Sequence, residues 1–314
     1  MDVHSVRTEG ATSNLERRGD LHPPLLAVRR VVTAALEEDL LPLGDLSASL
    51  LDPGTSATGR LVPREDGVLA GSLCAFEACR VLDSRLELSL SAHEGGDLVA
   101  GVAFGTVAGP LTSMLSAERT LLNFLCHLSG IASLTRRYVE SARRANPATR
   151  VWDTRKTTPG LRALEKAAVR AGGAVNHRGN LSEAVLVKDN HLAGIGITEA
   201  VRRALERWPG RMVEVECDRP GQDLEALDAG ATVVMCDNMT PAQVAHCVGI
   251  VRAHPRADAV LVEASGRITL ETIAAYAGAG ADVVSVGALT HSAPILDIGL
   301  DFDPKPLAAS TAIG

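Results

Sequence analysis

The residues best suited to chemistry lie in one segment, Asp153 to His191, which reads DTRKTTPGLRALEKAAVRAGGAVNHRGNLSEAVLVKDNH. The chain has 31 lysines and arginines, but only four of them are lysines, and three lie in this segment: Lys156, Lys166 and Lys188. Lysine offers a compact point charge, whereas arginine offers a planar fork suited to carboxylate or phosphate. Because Arg155 adjoins Lys156 and Arg178 follows His177, the mixture predicts a site for a small, highly anionic ligand with carboxylates and phosphates.

Part of this charge has a simpler interpretation. Arg162, Lys166 and Arg170 recur at helical spacing and are typical of a solvated helix face. We therefore expect Lys166 to meet solvent between two functional clusters, one on each side of it in the chain. The other cations flank short apolar runs, which a solvated helix does not explain.

The elements that position these residues are short apolar strands, each followed by a helix. The predicted strands are VWDT, AVLVKD, MVEVEC, TVVMCD, AVLVEAS and DVVSVG, with a weaker one near GAVNH. Their ends recur about every 20 to 30 residues, the pace of βα units in a parallel barrel. About seven such units predict an α/β barrel slightly short of eight strands.

Polar residues or glycines stand at the ends of these strands, where α/β barrels form their active sites. They are Asp153 to Lys156, Lys188 to Asn190, Glu216, Asp237-Asn238, Ser265-Gly266 and Gly287. This coincidence predicts an enzyme. The alternative is that turn-forming residues end strands in any soluble protein.

Two acidic residues on one strand bear on a metal site. Glu214 and Glu216 lie two apart and so face the same side, while Val213 and Val215 face the other. Glu216 is nearer the carboxyl end of its strand, and Asp237 ends the next one, so the two carboxylates are predicted to share a cation such as Mg²⁺. Glu214 is left open as a functional group or as a structural partner for a lysine.

Ser265-Gly266 and Gly287 close the last two strands, each predicted to stand just before a helix. Free backbone N–H groups and glycine at such places suit a phosphate. The sequence has no GxGxxG opening a helix, no GxxxxGK[ST] and no HExxH, and GxSxG with serine-hydrolase logic is also absent. Dinucleotide redox chemistry, nucleotide hydrolysis and zinc proteolysis therefore lose support.

The rest of the chain predicts further elements. Residues 1–22 read as a disordered leader, Leu25 to Leu40 as an amphipathic helix, and residues 58–110 as a small α+β domain with a mainly antiparallel sheet. A long helix is predicted from Ser116 to Ala145, interrupted at Gly130. The tail ILDIGLDF is strand-like and is predicted to pair with the first domain.

Composition limits the partners and the compartment. A net charge of −7 argues against non-specific nucleic-acid binding, and no apolar run approaches 18 residues, which argues against a membrane span. The six cysteines show no metal or disulfide spacing, so we expect buried, reduced thiols. Without a signal-peptide pattern, the sequence predicts a cytoplasmic protein.

Eight stretches together resemble the quinolinate phosphoribosyltransferases, the carboxylating nicotinate-nucleotide pyrophosphorylases. They are ERTLLNFLCHLSGIAS, DTRKTTPG, LEKAAVRAGGAVNHR, LVKDNH, VEVE, VVMCDNMTP, LVEASG and DVVSVGALTHSAPILDIGLDF, within Leu25 to Asp303. The resemblance implies a type II phosphoribosyltransferase: an N-terminal α/β sandwich domain, a seven-stranded open-faced α/β barrel, and a homodimer with active sites at the subunit interface. The implied reaction joins quinolinate to phosphoribosyl pyrophosphate with Mg²⁺, giving nicotinate mononucleotide, pyrophosphate and CO₂.

The resemblance also implies roles for individual residues. Quinolinate carboxylates would be held by Arg155, His177 and Arg178, with Arg119 from the neighbouring subunit. The resemblance also implies that Thr154 belongs to the same substrate site. The catalytic group would be Lys156, Lys188, Glu216 and Asp237, of which the two lysines lie near the pyrophosphate and the reacting ring, and the two acids hold the ribose hydroxyls and the metal. The 5′-phosphate would lie at Ser265, Gly266 and Gly287, although Arg267 stands where Gly or Asn is implied.

Domain boundaries and alternatives complete the prediction. We expect an N-terminal domain of residues 23–128 plus 291–314 and a catalytic barrel of residues 129–290. The nearest alternative function is a related phosphoribosyltransferase that takes nicotinate or another anionic acceptor. A non-catalytic sensor of phosphoribosyl ligands and an unrelated barrel enzyme with phosphorylated substrates also stay open.

Overall fold

The structure is a computed structural model that describes residues 21–192, 194–219 and 221–302. Residues 1–20 of the predicted leader therefore lie outside the described residues. The chain divides into two compact units, Met1–Ser133 with Pro294–Gly314, and Leu134–Ala293.

The elements are numbered in chain order. The helices are α1 (Leu25–Leu40), α2 (Ser72–Leu82), α3 (Leu111–Ala145), α4 (Arg162–Ala171), α5 (Asp189–Leu192), α6 (Ile197–Arg207), α7 (Gln222–Ala229), α8 (Pro241–Ala253), α9 (Ile273–Gly278) and α10 (Ala288–His291). The strands are β1 (Ser56–Pro63), β2 (Gly67–Val68), β3 (Glu87–Leu90), β4 (Asp97–Leu98), β5 (Gly105–Pro110), β6 (Arg150–Trp152), β7 (Val185–Val187), β8 (Val213–Cys217), β9 (Val233–Asp237), β10 (Leu261–Ser265), β11 (Val283–Ser285) and β12 (Ile298–Phe302).

The first unit is built on a four-stranded antiparallel sheet in the order β12-β1-β5-β3, with β2 and β4 forming a separate pair. The tail strand β12 runs along β1, so that Leu61 pairs with Leu300, and the predicted return of the tail to this domain is confirmed. Helix α1 buries Val28, Val32 and Leu36, which recur at intervals of one helical turn, as its periodicity predicts.

Helix α3 differs from its prediction in two respects. It begins at Leu111 rather than Ser116, and it continues without interruption through Gly130. Glycine is needed there for another reason, since a Cβ atom on Gly130 would lie 2.0 Å from the carbonyl oxygen of Pro294. The glycine marks a close approach of two backbones rather than a helix break.

The second unit is an α/β unit around a six-stranded parallel sheet in the order β6-β11-β10-β9-β8-β7. Strands β8 to β11 are rich in valine and largely buried, as expected for parallel strands covered on both faces. The weaker strand predicted near GAVNH is a single parallel bridge between Val175 and Trp152. The order of neighbours, open between this bridge and β7, confirms the predicted open-faced barrel architecture.

All six cysteines are free thiols, as predicted, and all except Cys126 are buried. Burial raises the pKa of Cys74 to about 12 and that of Cys79 to about 11, so both are protonated near neutral pH. Among the described helices, none combines the length and the apolar character that crossing a bilayer requires.

Candidate active site

The carboxyl ends of the parallel strands of the second unit bring most of the predicted site residues to one edge. Parallel strands point the same way, so their carboxyl ends share that edge even when they are far apart in sequence. The contributors are Asp153 after β6, Lys188 after β7, Glu216 on β8, Asp237 on β9, Ser265 on β10 and Gly287 after β11. His177 and Arg178 follow the bridge at Val175 and join the same edge.

Asp153 organises the cationic side of this edge. It is fully buried, and its Oδ1 atom accepts hydrogen bonds from Lys166 Nζ at 2.5 Å and from the backbone N–H of His177 at 2.8 Å. Lys166 Nζ also donates to the carbonyl oxygen of His177 at 2.9 Å. The prediction that Lys166 meets solvent is therefore wrong, because the lysine is only 6% exposed and holds the loop that carries His177.

The other two cations of α4 also have structural partners. Arg162 donates from Nη1 to the carbonyl oxygen of Gly179 at 3.2 Å and from Nη2 to that of Arg155 at 3.3 Å. Arg170 donates to the side chain of Asn176 at 2.6 Å. The expected solvated face is thus wrong for all three cations, and Arg162 ties together the two loops that carry the candidate acceptor-binding arginines.

Arg155 and Arg178 lie close to one another without a counter-ion. The Nε atom of Arg155 is buried and has no hydrogen-bond partner among the described residues. Burial lowers the pKa of Arg178, repulsion from Arg155 lowers it further, and only the more distant charge of Glu214 opposes this. No carboxylate of a described residue forms an ion pair with either guanidinium, although Arg178 donates to the carbonyl of Ala184 at 3.1 Å. Two neighbouring forks without a counter-ion suit a ligand with more than one carboxylate.

His177 forms a hydrogen bond with a buried acid, Glu214. Its Nε2 atom lies 2.9 Å from Oε2 of Glu214, and its ring meets Trp152 edge-on with the centroids 5.2 Å apart. Burial lowers the pKa of His177 and raises that of Glu214 to about 7. Glu214, for which a lysine was one predicted partner, therefore pairs with His177, and Lys188 pairs with Glu216 instead.

Lys156 is fixed through its backbone and passes over a glycine. Its N–H donates to Oγ1 of Thr154 at 3.1 Å, and its carbonyl accepts from Oγ1 of Thr290 at 2.7 Å. A Cβ atom on Gly287 would lie 3.1 Å from Cδ of Lys156. The absence of a side chain at Gly287 therefore leaves room for Lys156. This contact brings together two predicted parts of the site, the segment after β6 and the segment after β11.

Carboxylates line a cavity of about 480 Å³ on the other side of this edge. They are Asp189, Glu216, Asp218 and Asp237. Lys188 Nζ donates to Oε2 of Glu216, and Asn238 donates to Oδ2 of Asp237 at 2.6 Å, so each of these acids keeps one oxygen without a described partner. Two hard oxygen ligands from adjacent strands fit Mg²⁺, which completes its shell with water and substrate phosphates.

The predicted phosphate loop has unusual backbone geometry. Gly266, Asn238 and Arg267 have φ angles of 100°, 53° and 49°. A Cβ atom on Gly266 would lie 2.4 Å from Oδ1 of Asn238. The expectation that a helix starts directly after Gly266 is wrong, since α9 begins only at Ile273. Gly287 does immediately precede the short helix α10.

Arg267 provides a stability prediction. An L-residue in the left-handed region is strained, so Arg267→Gly is expected to raise the free energy of unfolding by up to about 1 kcal/mol, as measured by urea denaturation. The neighbouring change Gly266→Ala is the matched control and should destabilise the protein, because of both its φ angle and the contact with Asn238. A loss of stability in Arg267→Gly would show that the arginine side chain makes a stabilising contact that outweighs the strain.

One buried residue of this edge was missed by sequence reasoning. Glu263, on β10, is fully buried, and one of its carboxylate oxygens lies within 4.8 Å of the ligand atoms of His177 and Glu214. Alternation along the strand could have found it, because Glu263 precedes Ser265 by two residues, as Glu214 precedes Glu216. Its position in an apolar run, between Val262 and Ala264, hid it.

Arg119 belongs to the first unit, whereas the other predicted site residues belong to the second. It lies on α3, within the first unit, and its side chain is exposed. The role that the resemblance gives it, in the site of a neighbouring subunit, stays a prediction.

Comparison with known proteins is consistent with this geometry. The models for the C-terminal and N-terminal domains of quinolinate phosphoribosyl transferase match residues 131–301 and 45–129. The carboxylating nicotinate-nucleotide pyrophosphorylase of Mycobacterium leprae is 43% identical over 284 residues, which cover 88% of this chain and 97% of that protein. A decarboxylating quinolinate phosphoribosyltransferase of Nicotiana glauca is 34% identical over 319 residues, covering 96% and 90%.

Solved structures agree. The nicotinate-nucleotide pyrophosphorylase of Francisella tularensis superposes with a TM-score of 0.85 at 34% identity, covering 90% of this chain and 99% of that one. Human nicotinic acid phosphoribosyltransferase gives a TM-score of 0.55 at 18% identity, covering 83% of this chain and 74% of that one. At that identity the second likeness concerns the fold alone.

Proposed function

The chain belongs to the quinolinate phosphoribosyltransferase family, and from this premise we propose how its own residues carry the reaction. The enzyme transfers the phosphoribosyl group of phosphoribosyl pyrophosphate to quinolinate and releases pyrophosphate and CO₂. The product, nicotinate mononucleotide, is a precursor in NAD biosynthesis. The site must therefore hold a dicarboxylate beside a phosphorylated sugar.

The observation that carries the acceptor assignment is the pair Arg155 and Arg178. Both are partly buried, they repel each other, and the structure provides neither with a carboxylate partner among the described residues. A ligand with two adjacent carboxylates would relieve that repulsion and fill both forks. We assign quinolinate to this place, with Thr154 and His177 beside it.

The carboxylate-lined cavity supports the donor assignment. We assign the ribose hydroxyls and Mg²⁺ to Glu216 and Asp237, and the pyrophosphate to Lys156 and Lys188. When bound, Mg²⁺ would neutralise charge on the departing pyrophosphate. Ser265, Gly266 and Gly287 would hold the 5′-phosphate, where glycine permits a close approach.

These positions account for the chemistry. As the C1–O bond to pyrophosphate breaks, positive charge develops at C1 of the ribose, and Lys156 and Lys188 stabilise the negative charge that leaves. The ring nitrogen of quinolinate forms the new bond to C1 and becomes cationic. That cation then stabilises the electron pair left on C2 when CO₂ departs, until C2 takes up a proton. The main contribution of the protein is to hold the two substrates in line.

A substrate assay tests this assignment against its nearest alternative. Purified protein with phosphoribosyl pyrophosphate, Mg²⁺ and quinolinate should release CO₂ and pyrophosphate in equal amounts. Omitting Mg²⁺, or replacing quinolinate by nicotinate, should remove turnover. Turnover of nicotinate without CO₂ would instead establish the acceptor of the alternative phosphoribosyltransferase.

A homodimer with shared sites is the second part of the proposal. It is supported by the position of Arg119, an exposed cation on α3 that lies outside the catalytic unit of its own chain. Arg119→Ala and Lys156→Ala should each be inactive alone. After unfolding and refolding as an equal mixture, hybrid dimers carry one intact site each and should restore about a quarter of the wild-type activity. No recovery, with dimers confirmed by light scattering, would show that each site is built from one chain.

We also propose a cytoplasmic enzyme that takes part in neither nucleic-acid nor membrane binding. Six free cysteines suit a reducing compartment. A net charge of −7 opposes non-specific binding to polyanions.

A further inference from the structure

A buried acid pair lies beneath His177 and is not used by the proposed reaction. Glu214 on β8 and Glu263 on β10 are both 0% exposed, and the two strands are separated by β9. His177 Nε2 lies 2.9 Å from Oε2 of Glu214 and 3.8 Å from Oε2 of Glu263. Oε1 of Glu214 and both oxygens of Glu263 lack a well-aligned hydrogen-bond partner among the described residues, and only the Ser285 hydroxyl lies near enough to Glu263 to lower its pKa by hydrogen bonding. Two buried carboxylates with three such oxygens are too costly unless a proton or a cation lies between them.

The surroundings favour a proton on Glu263. Complete burial raises the pKa of Glu263 well above its usual value, and the neighbouring charge of Glu214 raises it further. No Lys or Arg forms an ion pair with either acid among the described residues, since Lys166 Nζ binds Asp153 and Lys188 Nζ binds Glu216. Burial also raises the pKa of Glu214, but the nearby charges of Arg178 and Lys188 oppose that rise, which makes Glu214 the acid of the pair that ionises. A neutral Glu263 can donate its O–H to Glu214, which then accepts from both sides.

The geometry is less suited to a metal ion. His177, Glu214 and Glu263 have the ligand types of a zinc site. Zinc bonds of about 2.0–2.2 Å at tetrahedral angles keep nitrogen and oxygen ligands roughly 3.3 Å apart or more. The 2.9 Å between His177 and Glu214 is instead the length of a direct hydrogen bond.

We propose that Glu263 is a positioning residue for the acceptor site: its neutral carboxyl group donates to Glu214, and Glu214 accepts the Nε2 proton of His177. This chain of hydrogen bonds fixes one neutral tautomer, in which Nδ1 carries no proton. His177 then cannot donate to a carboxylate of the acceptor. It serves as a rigid ring surface, held edge-on by Trp152, while Arg155 and Arg178 take the carboxylates. The role in acceptor binding rests on the proposed function, whereas the tautomer does not.

Nitrogen NMR of histidine-labelled protein tests the tautomer directly. The His177 signals are assigned by their loss in His177→Gln, and the two ring nitrogens show which one carries the proton. In the wild type, His177 should be neutral with the proton on Nε2 above about pH 7, the pKa to which burial raises Glu214, because Glu214 accepts that proton only when it is ionised. Glu263→Gln keeps a donor toward Glu214 and should keep this tautomer. Glu263→Leu leaves the Glu214 charge facing the imidazole alone, and His177 should then titrate at least about one pH unit higher.

Kinetics supply a second readout. Glu263→Leu should raise KM for quinolinate about tenfold, as for other supporting hydrogen-bond partners, with KM for phosphoribosyl pyrophosphate little changed. Glu263→Gln should recover most of this loss. Glu206→Gln, an exposed acid on α6, is the matched control for removing a carboxylate charge.

Two results would overturn the proposal. Loss of the Nε2–H tautomer in Glu263→Gln would mean that Glu263 acts as an anion, and stoichiometric metal in the wild type that disappears in Glu263→Gln would mean that it is a metal ligand. The comparison of the wild type with Glu263→Gln tests the proposal even if Glu263→Leu does not fold. Because the NMR is recorded without substrates, a failed quinolinate assay leaves its outcome intact, and the two failures are distinguishable.

Discussion

Arg155→Ala is expected to lower kcat/KM for quinolinate by about 10²–10³, the loss that follows when one partner of a desolvated charge pair is removed. The Nε atom of Arg155 is buried and has no hydrogen-bond partner among the described residues. A carboxylate of quinolinate would therefore supply a partner that the protein itself does not. Steady-state kinetics with each substrate varied in turn measure the effect. KM for phosphoribosyl pyrophosphate should change little, because the carboxylate-lined cavity is left intact.

Conservative and surface variants sharpen this test. Arg155→Lys keeps the charge but not the fork, and should still lose about tenfold or more. Arg203→Ala, on the exposed face of α6, removes a cation of the same type and should leave the kinetics unaltered. Near-normal kinetics in Arg155→Ala would contradict the acceptor assignment and favour a ligand with a single carboxylate.

Lys166→Met is expected to reduce the free energy of unfolding by about 3–5 kcal/mol, because it leaves the buried Asp153 without its cation. Asp153 is fully buried, and Lys166 Nζ lies 2.5 Å from its Oδ1 atom. Burial raises the pKa of Asp153 and lowers that of Lys166, because it disfavours the charged form of each. The intact ion pair therefore adds little net stability, whereas one buried charge without its partner destabilises the protein. Urea denaturation at matched protein concentration measures the loss.

Two comparisons test the cause. Arg202→Ala breaks exposed ion pairs of α6, which water and salt screen, and should therefore cost much less stability than Lys166→Met. In Lys166→Met, the loss in free energy of unfolding relative to the wild type should become smaller as the pH falls. The unpaired Asp153 has a higher pKa in the folded protein than in the unfolded chain, so protonation favours the folded state. A deficit that is no larger than that of Arg202→Ala would mean that Asp153 does not depend on Lys166.

Much of the fold follows from local patterns in the chain. Valine-rich runs separated by helices predicted the parallel sheet, and the strand-like tail predicted the pairing of β12 with β1. The same patterns failed at Gly130, where the glycine reports a close approach of Pro294 rather than a helix break. This close approach involves a segment more than 160 residues away in the sequence, so a local pattern around Gly130 could not predict it.

The site shows the same division between sequence and tertiary structure. The sequence by itself determined which residues stand at strand ends, from Asp153 through Glu216 and Asp237 to Gly287, because alternation and strand length are local properties. Only the tertiary structure decided their partners: Lys166 with Asp153, Glu214 with His177, and Lys188 with Glu216. A charged side chain has the same local signature whether it meets water or a buried counter-ion. The folded sheet edge makes that choice, because it sets which distant charges come within hydrogen-bond reach and how much water is excluded around them.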